Sequence, residues 1–349
     1  MKKAISLLFA LVLTMGLSVP ALALEPTEAA YEAAKTYFST ADGKNMLSLD
    51  KVLEAAEAGD SLILDIRGAA DYANGHIKGA VNIPFVEVVN YVDQLPRDQR
   101  IIVVCYSGQT AGQIVGSLRL GGFNAYTLSG GMGSVKEGVE LETTVNEFVP
   151  AETGKLTETE AALLEAIRVS MTIPENKNVI QPAALYENLD DYFVLDVRDA
   201  ETFAKFHIEG AVNAPYLEMG DYIDQLPKDR TIAVVCNSGQ QSSQTVAVLI
   251  AAGFDALNVQ SGMNNGWNKA GLPTVSDLEP EQPAEPEQPV VPEQPTGSTY
   301  TVQEGDCLWT IAKELLGNGA RWGEIYEVNK DIIKSPELIY AGQVLELPA

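Results

Sequence analysis

Two stretches of this chain are near copies of each other, separated by 131 positions. Each copy contains an Asp-x-Arg triplet, a His-Ile-x-Gly-Ala segment ending in proline, an Asp-Gln-Leu-Pro turn and a Val-Val-Cys-x-Ser-Gly-Gln segment. The offset is the same at every landmark, so no insertion separates the copies, and we expect both to adopt one fold. Both histidines and two of the three cysteines lie inside the repeat. The residues capable of chemistry are therefore concentrated there.

Short apolar runs alternate with helical patterns inside each copy. Buried strands are predicted at residues 62–65, 101–104, 193–196 and 232–235, and helices at 110–120 and 241–252. Near-continuous apolar runs of this length are typical of a parallel sheet covered on both faces. Polar helices are predicted ahead of the copies, at residues 25–45 and 157–178. The alternation predicts an α/β fold with one domain of roughly 100 residues per copy.

The N-terminal residues have the pattern of a secretory signal peptide. Lys2 and Lys3 precede an apolar run over residues 4–17, and Ala21-Leu22-Ala23 offers a cleavage site. The run is too short to predict a permanent membrane span, and no nearby cysteine could take a lipid. We expect an exported protein, in the periplasm or at the cell wall and extracellular.

Composition narrows the possible partners. A net charge of −25 disfavours nucleic acid and anionic lipid. Three cysteines leave at least one unpaired in an oxidising compartment. No two potential ligands fall at metal-site spacing, so neither a metal nor another cofactor is expected.

Cys105 and Cys236 each follow a predicted strand and open a Ser-Gly turn before a helix. This position lies at the carboxyl edge of a parallel sheet, where α/β folds bind ligands. Inward-pointing loop amides and a helix N-terminus both favour thiolate over thiol, and they would hold an anionic group bound to the sulfur. The same arrangement would also serve a nucleophilic cysteine that carries a persulfide.

The landmarks, in this order and spacing, resemble the rhodanese (thiosulfate sulfurtransferase) family over roughly residues 45–148 and 176–275. The resemblance implies two tandem rhodanese-like domains with Cys105 and Cys236 as the catalytic, sulfur-accepting residues. The active-site loops would comprise Tyr106, Ser107, Gly108, Gln109 and Thr110 in the first copy and Asn237, Ser238, Gly239, Gln240 and Gln241 in the second. We expect Asp65, Arg67, Asp196 and Arg198 to support these loops.

The loops depart from the family pattern. Members active on thiosulfate tend to carry arginines where Tyr106 and Thr110, and Asn237 and Gln241, stand here. An anionic donor would lose charge-assisted contacts worth ~1.5–3 kcal/mol each. A thiosulfate-type and a 3-mercaptopyruvate-type sulfurtransferase both remain open.

Three further assignments concern residues near the loops. Related phosphatase loops need an arginine six positions after cysteine, where Ala111 and Ser242 stand, so a phosphatase is disfavoured. His76 and His207 precede the cysteines by a long stretch and are predicted to be structural. Cys236 is the first candidate for sulfur transfer, because its loop keeps more polar residues that could cap the helix.

The last residues predict a small β-α-α-β module. Residues 300–312, 325–329 and 338–345 resemble a LysM domain, which implies binding to peptidoglycan or another polymer containing N-acetylglucosamine. On the family pattern the glycan groove would be lined by Gly305, Asp306, Cys307, Leu308, Pro336, Leu338 and Ile339. Cys307 stands where the family usually has threonine and is interpreted as a tolerated small residue.

The expected organisation follows the chain. It comprises a signal peptide (1–23), a first rhodanese-like domain with its N-terminal helix (24–150), a second with its leading helix (151–275), a Pro/Glu/Gln-rich linker (276–298) and a LysM domain (299–349). The linker composition predicts an extended polyproline-type spacer.

The leading hypothesis is an exported, wall-associated sulfurtransferase with a small sulfur donor and a thiol or cyanide acceptor. The alternatives are a non-enzymatic scaffold of the cell envelope and a thiol-redox or sulfide sensor in which Cys105 and Cys236 become linked.

Overall fold

A computed structural model describes residues 24–152, 154–175, 177–278 and 298–348. The predicted signal peptide and residues 279–297 of the predicted spacer lie outside the described residues. None of the helices in the described part of the chain is long and apolar enough to cross a membrane.

The first copy forms a five-stranded parallel sheet. Its strands are β1 (Met46–Leu47), β2 (Ser61–Asp65), β3 (Val81–Asn82), β4 (Arg100–Val104) and β5 (Ala125–Leu128). Its helices are α1 (Pro26–Tyr37), α2 (Leu49–Ala58), α3 (Ala69–Asn74) and α4 (Gln109–Leu120). The spatial strand order is β1-β5-β4-β2-β3. The apolar strands β2 and β4 therefore lie inside the sheet, as their buried side chains require.

The second copy repeats this topology. Its helices are α5 (Glu158–Met171), α6 (Pro182–Glu187), α7 (Ala200–Lys205) and α8 (Gln240–Ala251). Its strands are β6 (Val179–Ile180), β7 (Tyr192–Asp196), β8 (Val212–Asn213), β9 (Thr231–Val235) and β10 (Ala256–Val259), in the spatial order β6-β10-β9-β7-β8. The prediction of two α/β domains with parallel sheets flanked by helices is confirmed.

The helix predicted at residues 25–45 is shorter in the structure, and one of its faces is buried. Helix α1 ends at Tyr37, well before residue 45, and buries Ala30, Ala34 and Tyr37. It packs against α5 and α8, which belong to the second copy. The small alanine side chains allow this close packing, and the predicted helix is present but shorter than residues 25–45.

One apolar core is continuous across both copies. It includes Ile114 and Leu118 of α4, Ile167 of α5, and Val246 and Leu249 of α8. The outer face of each sheet has a smaller core of its own. The two copies therefore share their largest buried surface.

Helices α4 and α8 pack closely against each other between the copies. A Cβ atom built on Gly112 would lie 2.6 Å from the carbonyl oxygen of Gln240, and one on Gly116 would lie 2.6 Å from that of Gln244. Contacts advance along both helices in the same direction, so the helices run roughly parallel. Their N-termini, and the cysteine loops that precede them, lie side by side.

The C-terminal module consists of β11 (Ser298–Thr301), α9 (Leu308–Leu315), α10 (Trp322–Val328) and β12 (Val344–Leu347). Strands β11 and β12 pair antiparallel. Val302, Leu308, Ile311, Ile325 and Leu345 are among its buried core residues. The predicted β-α-α-β order is confirmed.

Candidate functional site

Cys105 lies between β4 and α4, and its sulfur faces the backbone of the loop that follows. The amide of Gly108 donates to the sulfur at 3.1 Å, and that of Ala111 donates at 3.3 Å. Gly108 has a φ of +83°, which lets the loop curl around the sulfur. Such a loop can stabilise negative charge on the sulfur.

Cys236 occupies the cognate position between β9 and α8. The amide of Gly239 donates to its sulfur at 3.2 Å, and Gly239 has a φ of +84°. The second contact differs from that in the first copy, because it is the hydroxyl of Ser242 that lies 3.3 Å from this sulfur. Both cysteines are free thiols and are only 1% exposed.

In each copy, the amides of a second loop donate hydrogen bonds to carbonyl groups of the cysteine loop. After β5, the amide of Met132 donates to Cys105 O at 2.8 Å, and that of Gly133 donates to Tyr106 O at 2.9 Å. Met263 and Asn264 make the cognate bonds in the second copy. With the carbonyls held away in this manner, the loop amides remain available to the sulfur. This supporting loop was not predicted from the sequence, although both copies carry glycines at its start.

The side chains of Gln109 and Gln240 reach the opposite copy. Gln109 Oε1 accepts from the amide of Ser261 at 3.0 Å, and Gln240 Oε1 accepts from the amide of Gly130 at 3.1 Å. Ser261 and Gly130 each begin the supporting loop of their own copy. The two glutamines were predicted to line their own cysteine loops, but their side chains stabilise the loops of the other domain.

Tyr106, which directly follows Cys105, is a solvent-exposed residue of the first cysteine loop. Its side chain is 54% exposed, and its hydroxyl donates to the carboxylate of Asp71. That hydrogen bond raises the pKa of Tyr106. The second copy has Asn237 and Thr202 at these positions, and it has Asp199 where the first copy has Gly68.

The Asp-x-Arg pairs brace the sheet edge beside the cysteines. Arg67 Nη2 donates to Asp65 Oδ2 at 2.7 Å and to Gly75 O at 2.8 Å. Asp196 and Arg198 form the same pair at 2.6 Å. Burial raises the pKa of Asp196, and the Arg198 guanidinium opposes that shift. These arginines are bound to carboxylates, as expected for a supporting role.

The histidines lie in the turns where the sequence analysis gave them a structural role. The Nδ1 atom of His76 is 2.8 Å from Tyr72 O, and its ring stacks on Tyr72. His207 repeats this arrangement on Phe203, with Nδ1 3.0 Å from its carbonyl oxygen. Both rings thus anchor the turn that follows α3 or α7.

The capping argument for preferring Cys236 is wrong. Helix α8 is capped by Gly239, which has no side chain, and α4 is capped by Gly108. The polar residues of the second loop therefore do not cap its helix. The difference between the copies lies instead at Ser242, which the sequence analysis considered only as a missing arginine.

The residues predicted to line the glycan groove of the LysM domain have three kinds of environment. Gly305 has a φ of +92° in a turn, where Asp306 Oδ2 accepts from the Tyr300 hydroxyl and the Gln303 amide, each at 2.8 Å. Leu308 is 2% exposed and belongs to the core, so only its backbone could face a glycan. The remaining predicted residues, Cys307, Pro336, Leu338 and Ile339, are half-buried.

Comparison with known families identifies the repeat. The rhodanese-like domain matches residues 48–137 and 181–270, which together make up just over half of the chain. The chain belongs to the rhodanese family. A LysM domain matches residues 300–348. The chain therefore combines two rhodanese-like domains with a C-terminal LysM domain.

Individual relatives match single parts of the chain. The thiosulfate sulfurtransferase GlpE of Shewanella oneidensis is 33% identical over 92 residues, which cover 26% of this chain and 91% of the relative. The potassium binding protein Kbp of Escherichia coli is 49% identical over 49 residues, 14% of this chain and 33% of that protein. The chain thus spans only about a third of Kbp. The crystal structure of a rhodanese-related protein from Thermoplasma volcanium is 33% identical, covers 28% of this chain and 96% of that one, and has a TM-score of 0.27.

Proposed function

We propose that this protein is an exported, cell-wall-associated sulfurtransferase that carries sulfane sulfur as a cysteine persulfide. The observation that carries the proposal is the pair of donors directed at each buried sulfur, with the loop carbonyls bound elsewhere. Donors around the sulfur favour a thiolate, and a loop lined with amides also suits the anionic terminal sulfur of a persulfide. Relatives named as thiosulfate sulfurtransferases support this chemistry.

The transfer has two steps. The thiolate of Cys105 or Cys236 attacks the outer sulfur of a donor such as thiosulfate. The sulfur–sulfur bond of the donor breaks, and sulfite leaves with the bonding electron pair. A thiol or cyanide acceptor then attacks the terminal sulfur of the persulfide and regenerates the thiolate. With cyanide the product is thiocyanate, and no external oxidant or reductant is needed.

The donor class depends on the missing loop arginines. Arg67 and Arg198 of the Asp-x-Arg triplets are bound to Asp65 and Asp196. Within the cysteine loops themselves, a dianion such as thiosulfate would find amides and hydroxyls but no guanidinium group. We propose that a less charged donor, such as 3-mercaptopyruvate or a polysulfide, loads the site faster than thiosulfate.

The location is proposed from the two ends of the chain. Residues 1–23 have the signal-peptide pattern, and the LysM domain suggests attachment to peptidoglycan. The Pro/Glu/Gln-rich segment would hold the rhodanese-like domains away from the polymer.

Intact-mass spectrometry tests the sulfurtransferase. The mature protein and its Cys105→Ser and Cys236→Ser variants are exposed separately to thiosulfate, 3-mercaptopyruvate and a polysulfide. We expect a cysteine-dependent gain of one sulfur mass that disappears on addition of cyanide. No adduct from any donor, with thiols that still react with a small alkylating reagent, would contradict the proposal.

A peptidoglycan pull-down tests the anchor. The protein with and without residues 299–349 is incubated with purified peptidoglycan sacculi. We expect retention only of the form with the LysM domain, and equal retention of both forms would remove the anchor from the proposal.

A scaffold without catalytic activity is the second candidate, favoured by the lack of arginines in both loops. A redox sensor would require a bond between Cys105 and Cys236, which are both free thiols here. Electrophoresis with and without reductant separates the sensor from the other two, because only a linked form changes mobility.

A further inference from the structure

The two cysteines differ in the second group that contacts the sulfur. Cys105 meets the backbone amide of Ala111, whereas Cys236 meets the hydroxyl of Ser242. Ser242 is fully buried, and its Oγ atom also lies 2.6 Å from Oδ1 of Asn258 on β10. The first copy has Ala111 and Thr127 at these two positions. A buried chain of polar groups therefore leads to the sulfur in the second copy alone.

The number of hydrogens available on Ser242 and Asn258 determines which group donates to which. A serine hydroxyl has one hydrogen and cannot serve both Asn258 Oδ1 and the sulfur of Cys236. In the same arrangement, Nδ2 of the fully buried Asn258 has no partner among the described residues. A buried amide donor without a partner is costly and uncommon.

Turning the Asn258 amide by 180° improves the pairing, because it places the donor Nδ2 against Ser242 Oγ and leaves the acceptor Oδ1 in the position without a partner. Nδ2 then donates to Ser242 Oγ, and the Ser242 hydrogen is free to point at the sulfur of Cys236. The sulfur would receive one hydrogen bond from the Gly239 amide and one from this hydroxyl. Hydrogen bonds to the charged form of a group favour that form.

We propose that Ser242, oriented by Asn258, is a positioning residue that donates its hydroxyl hydrogen to the sulfur of Cys236 and holds that sulfur as an anion. The hydroxyl can also rotate to follow a terminal persulfide sulfur, which the fixed Ala111 amide cannot do. Insofar as it rests on the proposed sulfurtransferase function, this assigns sulfur loading principally to the second copy.

Charged groups near the two cysteines are partly shared. The Asp65–Arg67 and Asp196–Arg198 pairs occupy the same position beside both cysteines. Asp71 contacts the first loop through Tyr106, whereas the second copy has Asp199, which is near the positive charge of Lys44, at the position of Gly68. Comparisons are therefore best made within one copy, so that Asp71 is constant.

The test follows the protonation of Cys236 alone. In a Cys105→Ser, Cys307→Ser background, the pH profile of iodoacetamide alkylation and the ultraviolet absorbance of the thiolate are measured with Ser242 unchanged, Ser242→Ala and Ser242→Thr. We expect Ser242→Ala to slow alkylation at neutral pH by about tenfold and to shift both profiles to higher pH. The size of this effect corresponds to the loss of about one hydrogen bond to the sulfur. Threonine, which keeps the hydroxyl, should restore both.

The reciprocal exchange guards against a folding defect. In a Cys236→Ser, Cys307→Ser background, Ala111→Ser with Thr127→Asn should speed alkylation of Cys105 and shift its profile to lower pH. Identical profiles for Ser242 and Ser242→Ala, or no change in the exchanged first copy, would overturn the proposal. Neither readout needs sulfur transfer, so failure to form a persulfide with these shifts intact would count against the proposed function alone.

Discussion

The amide of Gly130 donates to Oε1 of Gln240 at 3.1 Å, and this bond joins the supporting loop of the first copy to the helix that follows the second cysteine. Gln109 and Ser261 make the reciprocal bond at 3.0 Å. Each cysteine loop is therefore held in part by the opposite domain.

Gln240→Ala should destabilise the protein by about 1–3 kcal/mol, because it leaves the amide of Gly130 without its partner. It should also alter the reactivity of Cys105, whose carbonyl is bound by the adjacent loop. Urea unfolding and alkylation of Cys105 in a Cys236→Ser background measure the two effects. The exposed Gln225→Ala is the control and should change neither quantity. An alkylation rate of Cys105 that is the same in Gln240→Ala as in the parent protein would contradict the coupling.

Gly116→Ala should destabilise the pair of domains, although alanine normally favours a helix. Its Cβ would lie 2.6 Å from Gln244 O and 2.9 Å from Gln244 Cα, so α4 and α8 would have to separate. We expect a loss of about 1–3 kcal/mol in urea unfolding. Gly323 of α10 has nothing within 4 Å of such an atom, and Gly323→Ala should instead add about 0.5–1 kcal/mol to the LysM module. A stabilising Gly116→Ala would show that the helices can move apart freely.

Gly131→Ala should disrupt the first cysteine loop. Gly131 has a φ of +57°, and its Cβ would lie 2.4 Å from Cys105 O and 2.7 Å from Gly108 N. Gly271→Ala controls for backbone strain, since Gly271 has a φ of +69° but open space around it. Both should lose the ~1–2 kcal/mol of a left-handed residue, but only Gly131→Ala should change the alkylation rate of Cys105. Equal alkylation rates in the two variants would argue against a role for the close packing.

Alkaline pH should weaken the contact between the copies. Burial raises the pKa of Tyr37 from 10.0 to about 12. A folded-state pKa above the unfolded one means that the neutral phenol stabilises the fold fully below pH 10, and that this contribution is lost as the pH rises through 12. The loss is on the order of 2–3 kcal/mol.

The measurement is the urea midpoint as a function of pH for the parent protein, Tyr37→Phe and Tyr186→Phe. Tyr37→Phe should flatten the alkaline decline. Tyr186, which is 43% exposed, should leave it unchanged when replaced. A decline of the same size in all three proteins would mean that another group causes the sensitivity to alkaline pH. Tyr216 is such a group, because burial raises its pKa well above the usual value.

The elements of each domain could be predicted from the sequence because their signals are local. The run at 101–104 became β4 with one added residue, and the helix expected at 110–120 begins at Gln109. The cysteine loops followed from the same strand-to-helix junctions. Periodicity and spacing within one copy contain this information.

The docking of the copies could not be predicted, since it depends on which faces meet. Gln109 and Gln240 are visible at cognate positions, yet nothing local shows that their side chains cross between the domains. Ser242 and Asn258 lie on a helix and a strand that only the fold brings together. The only sequence signal for this pair is a difference between the copies, since the first has Ala111 and Thr127 where the second has Ser242 and Asn258.

The reciprocal glutamine bonds also bear on how the repeat can evolve. A substitution at Gln109 or Gln240 affects the cysteine loop of the other copy, so selection acts on both loops at once. We therefore expect the two copies to change together in evolution, even if only one of them performs catalysis. A fragment containing either half alone would lack part of its own cysteine loop's support, and the inherited unit is the duplicated pair.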